Sequence, residues 1–166
     1  MKAIRLEAPA KINPYLEVGP LGPDGYHPVR TVMQAVELCD TVEVELHAGP
    51  SGFELEVEGD APRGEDNLCL RAASAFEAAC GGRLAGRIRL VKRIPLSAGL
   101  GGGSSDAAAV LRALAWLTGA DMGRDEMFRL AATVGMDVPF FLLGGTALGE
   151  GRGERVTPLA QAPPLP

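Results

Sequence analysis

The chain has 166 residues and a formal net charge of −5 at pH 7. That length favours one domain with a core large enough to fold on its own. The acidic balance argues against a nucleic-acid partner, no apolar run reaches membrane-spanning length, and Met1-Lys2-Ala3-Ile4-Arg5-Leu6-Glu7 lacks the apolar stretch of a signal peptide.

Ala3–Glu7 reads as a first strand. After Pro9, Lys11–Val18 alternates, with Ile12, Leu16 and Val18 on one face and Lys11, Asn13, Tyr15 and Glu17 on the other. Residues 20–28 form a turn-rich loop around Gly22, Pro23 and Gly25. Thr31–Leu38 and Thr41–Leu46 are β-branched-rich and predict two strands. Phe53–Glu58 alternates strictly, as a strand with one face in water does. Asp66–Cys80 predicts a helix, with Leu70, Ala73 and Phe76 at helical spacing and Gly81-Gly82 closing it. Arg87–Val91 is a further strand. Ser104–Thr118 predicts a helix whose apolar face is Ala107, Val110, Leu111, Leu114 and Leu117, ended by Gly119. Arg124–Val134 is another helix, and Val138–Leu143 a short apolar turn or helix. Gly144–Gly153 is a second glycine-rich stretch, followed by a short strand over Glu154–Pro158. Strands early and helices late favour an α+β sandwich over a doubly wound sheet. Residues 1–158 read as one domain, and 159–166, with Pro163, Pro164 and Pro166, as a linker.

Cys39, Cys69 and Cys80 are odd in number and fit no zinc or redox spacing, so they read as reduced packing thiols in a cytoplasm. His27 and His47 are too few for a His-rich metal site, and no metal ligand set is expected.

Between the Arg87–Val91 strand and the Ser104–Thr118 helix runs Pro95-Leu96-Ser97-Ala98-Gly99-Leu100-Gly101-Gly102-Gly103-Ser104-Ser105. Glycines admit positive φ and let backbone N–H groups approach a ligand closely. The helix that follows points its free N–H groups and positive dipole end into the loop. Together these make an anion site, most often for phosphate. The Walker pattern is excluded because the loop holds no lysine, and the dinucleotide fingerprint fails because Ser104 stands where its third glycine belongs. The alternative is a ligand-free N-terminus capped by Ser104 or Ser105.

Side chains suited to phosphoryl chemistry lie elsewhere. The period of two puts Lys11 and Asn13 on one face; the alternative for Lys11 is a solvated strand lysine. Asp137, just before Val138-Pro139, suits an N-cap, a position that also keeps a carboxylate ionised.

Ala8-Pro9-Ala10-Lys11-Ile12-Asn13, Gly25-Tyr26-His27, the glycine loop, Gly135-Met136-Asp137-Val138-Pro139 and Gly149-Glu150-Gly151-Arg152-Gly153-Glu154 follow one another in an order that resembles the GHMP kinases over nearly the whole chain. With Gly25-Tyr26-His27 the set resembles one branch of that family. Its members use ATP to phosphorylate a tertiary hydroxyl of 4-diphosphocytidyl-2-C-methyl-D-erythritol, in the non-mevalonate isoprenoid pathway. The resemblance implies the family's N-terminal lobe, a ribosomal-protein-like sandwich of a mixed sheet and helices. It implies ATP as co-substrate, with Mg2+ carried by the nucleotide. Asp137 then takes the proton from the attacking hydroxyl, and Lys11 neutralises charge between that hydroxyl and the γ-phosphate. Pro95 to Ser105 wraps the ATP phosphates, with Lys92 and Asn67 near the adenine. Asn13 falls by the methylerythritol, Tyr26 stacks on the cytosine, His27 meets the base edge, and Arg152 lies where the backbone borders the substrate. Other readings are a GHMP kinase of mevalonate or homoserine type, which Gly25-Tyr26-His27 argues against, and a nucleotide- or RNA-binding module without catalysis, which the acidic charge and the Lys11/Asp137 pair argue against. The resemblance also expects a second lobe beyond the linker.

Overall fold

One long hairpin carries the rest of the domain. In this computed structural model, which describes residues 2–23 and 25–160, β1 (Lys2–Val18) and β2 (Val29–Leu46) pair antiparallel along their lengths. The strand candidates on either side of Pro9 are therefore one strand, and so are those on either side of Cys39-Asp40. Pro9 and Pro14 are tolerated because β1 pairs only with β2, and an edge strand needs no donor on its outer side. Register shifts between Pro9 and Ala10, and between Ile12 and Tyr15, absorb the irregularity.

β4 (Ala85–Val91) and β5 (Thr146–Gly151) pair antiparallel with the second and first halves of β2. β3 (Gly52–Glu58) lies parallel to β4, and β6 (Arg155–Pro158) antiparallel to β5. The mixed sheet has six strands, ordered β3-β4-β2-β5-β6, with β1 joined to β2 off that path.

Helices α1 (Leu68–Cys80), α2 (Gly102–Thr118), α3 (Arg124–Val134) and α4 (Val138–Leu143) supply the other layer. Val42, Val44, Ile88 and Leu90 from the sheet are buried with Phe76 of α1 and Leu111 and Leu114 of α2. Removing each such side chain from water is worth about 1.5–3 kcal/mol. On the other face, Arg5, Glu43, Arg89 and Glu56 stand in register across β1, β2, β4 and β3. One buried and one wet face is what the alternation of Phe53–Glu58 requires.

The helix starts differ in detail from expectation. α2 begins at Gly102 rather than Ser104, and its cap position is Gly101, so neither Ser104 nor Ser105 caps it. α1 starts after Asn67, whose side chain accepts from the Cys69 N–H at 2.9 Å, and ends on left-handed Gly81. The linker expected over 159–166 lies mostly outside the described residues; Leu159 itself is tied to the sheet through the Thr146 carbonyl at 2.9 Å. Among the described residues no helix is long and apolar enough to cross a membrane.

Candidate active site

The loop between β4 and α2 alternates in hand. Ser97, Gly99 and Gly101 have φ of 57°, 72° and 71°, whereas Ala98 and Leu100 keep negative φ. Such alternation turns successive N–H groups toward one concave side and makes an anion-binding nest. The first turn of α2 adds its own free N–H groups. Ser97 is not a glycine, so its left-handed backbone stores strain of the kind that collects at ligand sites. The loop encloses a groove of about 210 Å³ floored by Leu68 and Lys92. Gly101 cannot be replaced without loss: a Cβ there would sit 2.8 Å from Phe141 Cζ and 3.2 Å from Lys11 Cγ, on top of its positive φ.

Lys11 joins this loop to the rest of the site. Its backbone N–H donates to the Leu100 carbonyl at 2.9 Å, and its stem lies against Gly101. It is not the solvated lysine that strand alternation allows. It is 7% exposed while Ile12 is 40% exposed, so the polar side is the inward one at Lys11, although Tyr15 further along is exposed again. The cause is the register shift between Pro9 and Ala10, after which the inward side passes from Ala8 and Ala10 to Lys11, and which a simple period of two cannot anticipate. A hydrogen-bonded chain bridges a second register shift, between Ile12 and Tyr15. The Lys11 ammonium donates to Asn13 Oδ1 at 2.5 Å, Asn13 Nδ2 donates to Thr31 Oγ1 at 2.7 Å, and Thr31 Oγ1 donates to the Tyr15 carbonyl at 2.7 Å.

Asp137, far away in sequence, comes to 3.7 Å from the Lys11 ammonium. It occupies the N-cap position of α4, with Pro139 in the first turn, but its carboxylate makes no capping hydrogen bond. The group faces Lys11 and the turn between β5 and β6, where a Cβ on Gly153 would stand 3.7 Å from Asp137 Oδ1.

That turn leads to Arg152, whose guanidinium carbon lies 3.5 Å from the centre of the Tyr26 ring. Tyr26, Arg152, Pro28 and Glu154 line a groove of about 370 Å³. His27 is exposed, and its Nδ1 lies 2.8 Å from the Gly19 carbonyl, which anchors the loop before β2. Lys11, Asp137, Gly153, Arg152 and Tyr26 thus form one continuous path from the glycine loop to an aromatic-lined groove.

The residues expected near an adenine have their polar ends taken by the protein itself. Asn67 is 5% exposed and both ends of its amide are taken, one by the Cys69 N–H and one by the Pro62 carbonyl at 2.7 Å. It is a capping residue. Lys92 borders the groove, but its ammonium is clasped by two buried carboxylates, Asp40 and Asp106, the latter at 2.7 Å. Burial alone would lower the Lys92 pKa; the two carboxylates outweigh it and leave the group raised. Asp40, Asp106 and Thr31 escaped the sequence reading. A signal existed for Asp106: it shares the face of α2 that carries Val110, Ala113 and Leu117, where an acidic residue is out of place. Among the described residues no group of three or more His, Cys, Asp or Glu is arranged to hold a metal ion.

The strand-loop-helix anion nest and Asp137 fall within residues 67–145, which match the model of the GHMP kinases N terminal domain. At finer grain, the chain is similar to proteins named 4-diphosphocytidyl-2-C-methyl-D-erythritol kinase. It is 50% identical over 159 residues to the one from Pelotomaculum thermopropionicum, covering 95% of this chain and 55% of the relative. It is 43% identical over 163 residues to that of Geobacter sulfurreducens, covering 98% of this chain and 58% of the relative. A crystal structure of 4-(cytidine 5'-diphospho)-2C-methyl-D-erythritol kinase superposes with a TM-score of 0.78 at 47% identity, over 95% of this chain and 55% of that one. The Methanococcus jannaschii mevalonate kinase, at 16% identity and a TM-score of 0.70, shares the fold. The chain therefore spans little more than half the length of the relatives it matches.

Proposed function

We propose that this domain serves an ATP-dependent kinase that phosphorylates the 2-hydroxyl of 4-diphosphocytidyl-2-C-methyl-D-erythritol in the cytoplasm. The names of its relatives support the substrate. The observation that carries the chemistry is the approach of Lys11 and Asp137 to 3.7 Å beside the alternating-hand glycine loop.

Phosphoryl transfer asks a protein chiefly for alignment and charge stabilisation. The nest and the N-terminus of α2 hold the polyphosphate, which brings its Mg2+ with it as part of the substrate. Asp137 accepts the proton of the attacking hydroxyl. No capping bond ties its carboxylate, and the Lys11 ammonium stands 3.7 Å away. Lys11 is held by Asn13 at the boundary of loop and cleft, where its charge meets the developing negative charge on the γ-phosphoryl oxygens. Tyr26 offers a ring face to the cytosine, a contact worth about 1–3 kcal/mol, and Arg152 stacks on that ring. The test is an assay with ATP and a panel of alcohols: diphosphocytidyl-methylerythritol, mevalonate and homoserine. Preference for either of the last two would reject the substrate assignment while keeping the kinase.

A further inference from the structure

Beneath the glycine loop lies a buried charge cluster that the proposed chemistry does not use. Lys92 and Asp106 side chains are each 3% exposed, and Asp40 is fully buried. Asp40 does more than pair with Lys92. Its Oδ1 accepts from the backbone N–H groups of Arg93 and Ile94 at 2.5 and 2.9 Å, so it fixes the chain entering the loop. Asp106, in α2, fixes the chain leaving it. Lys92 stands between them, directly under the start of the helix: a Cβ on Gly102 would lie 3.1 Å from its ammonium. The three side chains therefore clamp both ends of the phosphate loop together.

The cluster is unbalanced. Two carboxylates share one ammonium, which leaves a net charge of about −1 in a buried site if both acids ionise, and buried charge of one sign is expensive. Ser105 Oγ and Asp106 Oδ1 are also buried without a hydrogen-bond partner. From α1 comes Cys69, a neutral thiol pushed well up first by burial and then by Asp106. From β2 comes Asp40, and from the segment after β4 comes Lys92. Burial pushes the Asp106 carboxyl up to about 7, with Asp40 adding to the rise and Lys92 opposing it.

We propose that the Lys92–Asp40–Asp106 clamp is a proton-linked seat for the phosphate loop, so that a polyphosphate entering the loop draws a proton onto Asp106. The proton comes from solvent and no bond other than its O–H is made. With Asp106 protonated the seat is neutral, and its hydroxyl becomes a donor. With Asp106 ionised the seat is negative and repels the polyanion held one ammonium away. Asp106 is thus a positioning residue. This inference rests on the phosphate-binding reading of the loop.

The experiment is isothermal titration of the chain with AMP-PNP and Mg2+ at pH 7 in PIPES and in Tris, whose ionisation heats differ. The wild-type chain takes up a fraction of a proton that Asp106→Asn does not, beyond what the nucleotide's own phosphates exchange in both proteins. If bound phosphate raises Asp106 by about one further unit, the wild-type Kd weakens about five-fold between pH 6 and pH 8, while Asp106→Asn stays level after the same correction. Should Asp106→Asn not fold, the infrared band of a protonated carboxyl in wild type decides: it grows when AMP-PNP is added. Binding with equal proton exchange in both proteins, or with no growth of that band, overturns the inference and leaves the phosphate loop intact. Absence of nucleotide binding by wild type overturns both.

Discussion

Lys11 and Lys92 both lie against the glycine loop and both are buried, with side chains 8% and 3% exposed, yet their surroundings differ in kind. Lys11 has a neutral amide within hydrogen-bond distance and one carboxylate at 3.7 Å that is itself 36% exposed. Lys92 has two carboxylates in direct contact, both dry. A buried ammonium must be compensated, and how completely it is compensated separates a charge reserved for a ligand from one committed to the fold. Burial by itself would have put the two lysines in one class.

The sharpest test of that contrast is stability. Lys92→Met leaves Asp40 and Asp106 facing each other without a cation, and breaking a buried pair in this way costs about 3–5 kcal/mol. Lys11→Met frees Asp137, which water already reaches, and the neutral Asn13 amide oxygen, so its loss in urea unfolding should be far smaller. Equal losses would dissolve the distinction. The cluster also sets a sign for pH. Asp106 in the folded state titrates near 7, against about 3.9 in an unfolded chain. Between those values the folded state holds a proton that the unfolded state has released. This group's contribution to stability therefore falls as pH rises from about 4 to about 7 and is flat above. Asp106→Asn should remove that slope.

The second test moves to the other lysine's partner. Asp137→Asn should lower kcat by roughly 100-fold or more with little change in ATP affinity, because a lost general base acts on the transition state and not on nucleotide binding. Steady-state kinetics with ATP and diphosphocytidyl-methylerythritol checks it. A variant as active as wild type would leave Asp137 as no more than the N-cap position of α4.

Much of this was legible in the chain, and the gaps have physical reasons. The helices were visible because the large apolar residues of α1 and α2 recur at helical spacing, and the glycine loop because few other structures demand such a run. Strand breaks at Pro9 and at Cys39-Asp40 were misread because local turn signals cannot report that a strand lies at a sheet edge or continues past a buried acid. The inward turn of Lys11 was hidden because a register shift between Pro9 and Ala10 reverses the meaning of alternation. Asp40 and Asp106 were invisible as a pair because each makes sense only beside Lys92, which lies in a third segment of the chain.

Tyr26→Ala should produce a smaller and more selective change. Loss of base stacking, about 1–3 kcal/mol, should raise KM for the cytidine substrate without a matching rise for ATP. The ring lies in the groove with Arg152, on the far side of Asp137 from the glycine loop. Equal rises for both substrates would assign Tyr26 to the scaffold shared by the two grooves.

The smallest expected effect falls on Asn67, and it bears on the same question as the two lysines: whether a polar residue beside the nucleotide groove serves ligand or fold. Asn67 Oδ1 caps α1 and its Nδ2 holds the Pro62 carbonyl. Replacing an N-cap by alanine costs about 1 kcal/mol, which for a domain of this size lowers Tm by roughly 2–4 °C. Aspartate caps as well as asparagine, so Asn67→Asp should recover the cap's share of that loss but not the bond to the Pro62 carbonyl, because it lacks the amide donor. A residue that recognised adenine through its amide would behave in the opposite way. Asn67→Asp would then be stable but weak for ATP, because an adenine edge bonded by both ends of an amide rejects a carboxylate. Melting curves and ATP KM for the two variants therefore separate the roles. Stability that follows the cap, with an unchanged ATP KM in both, keeps Asn67 with Lys92 among the residues that build the groove without touching what it holds.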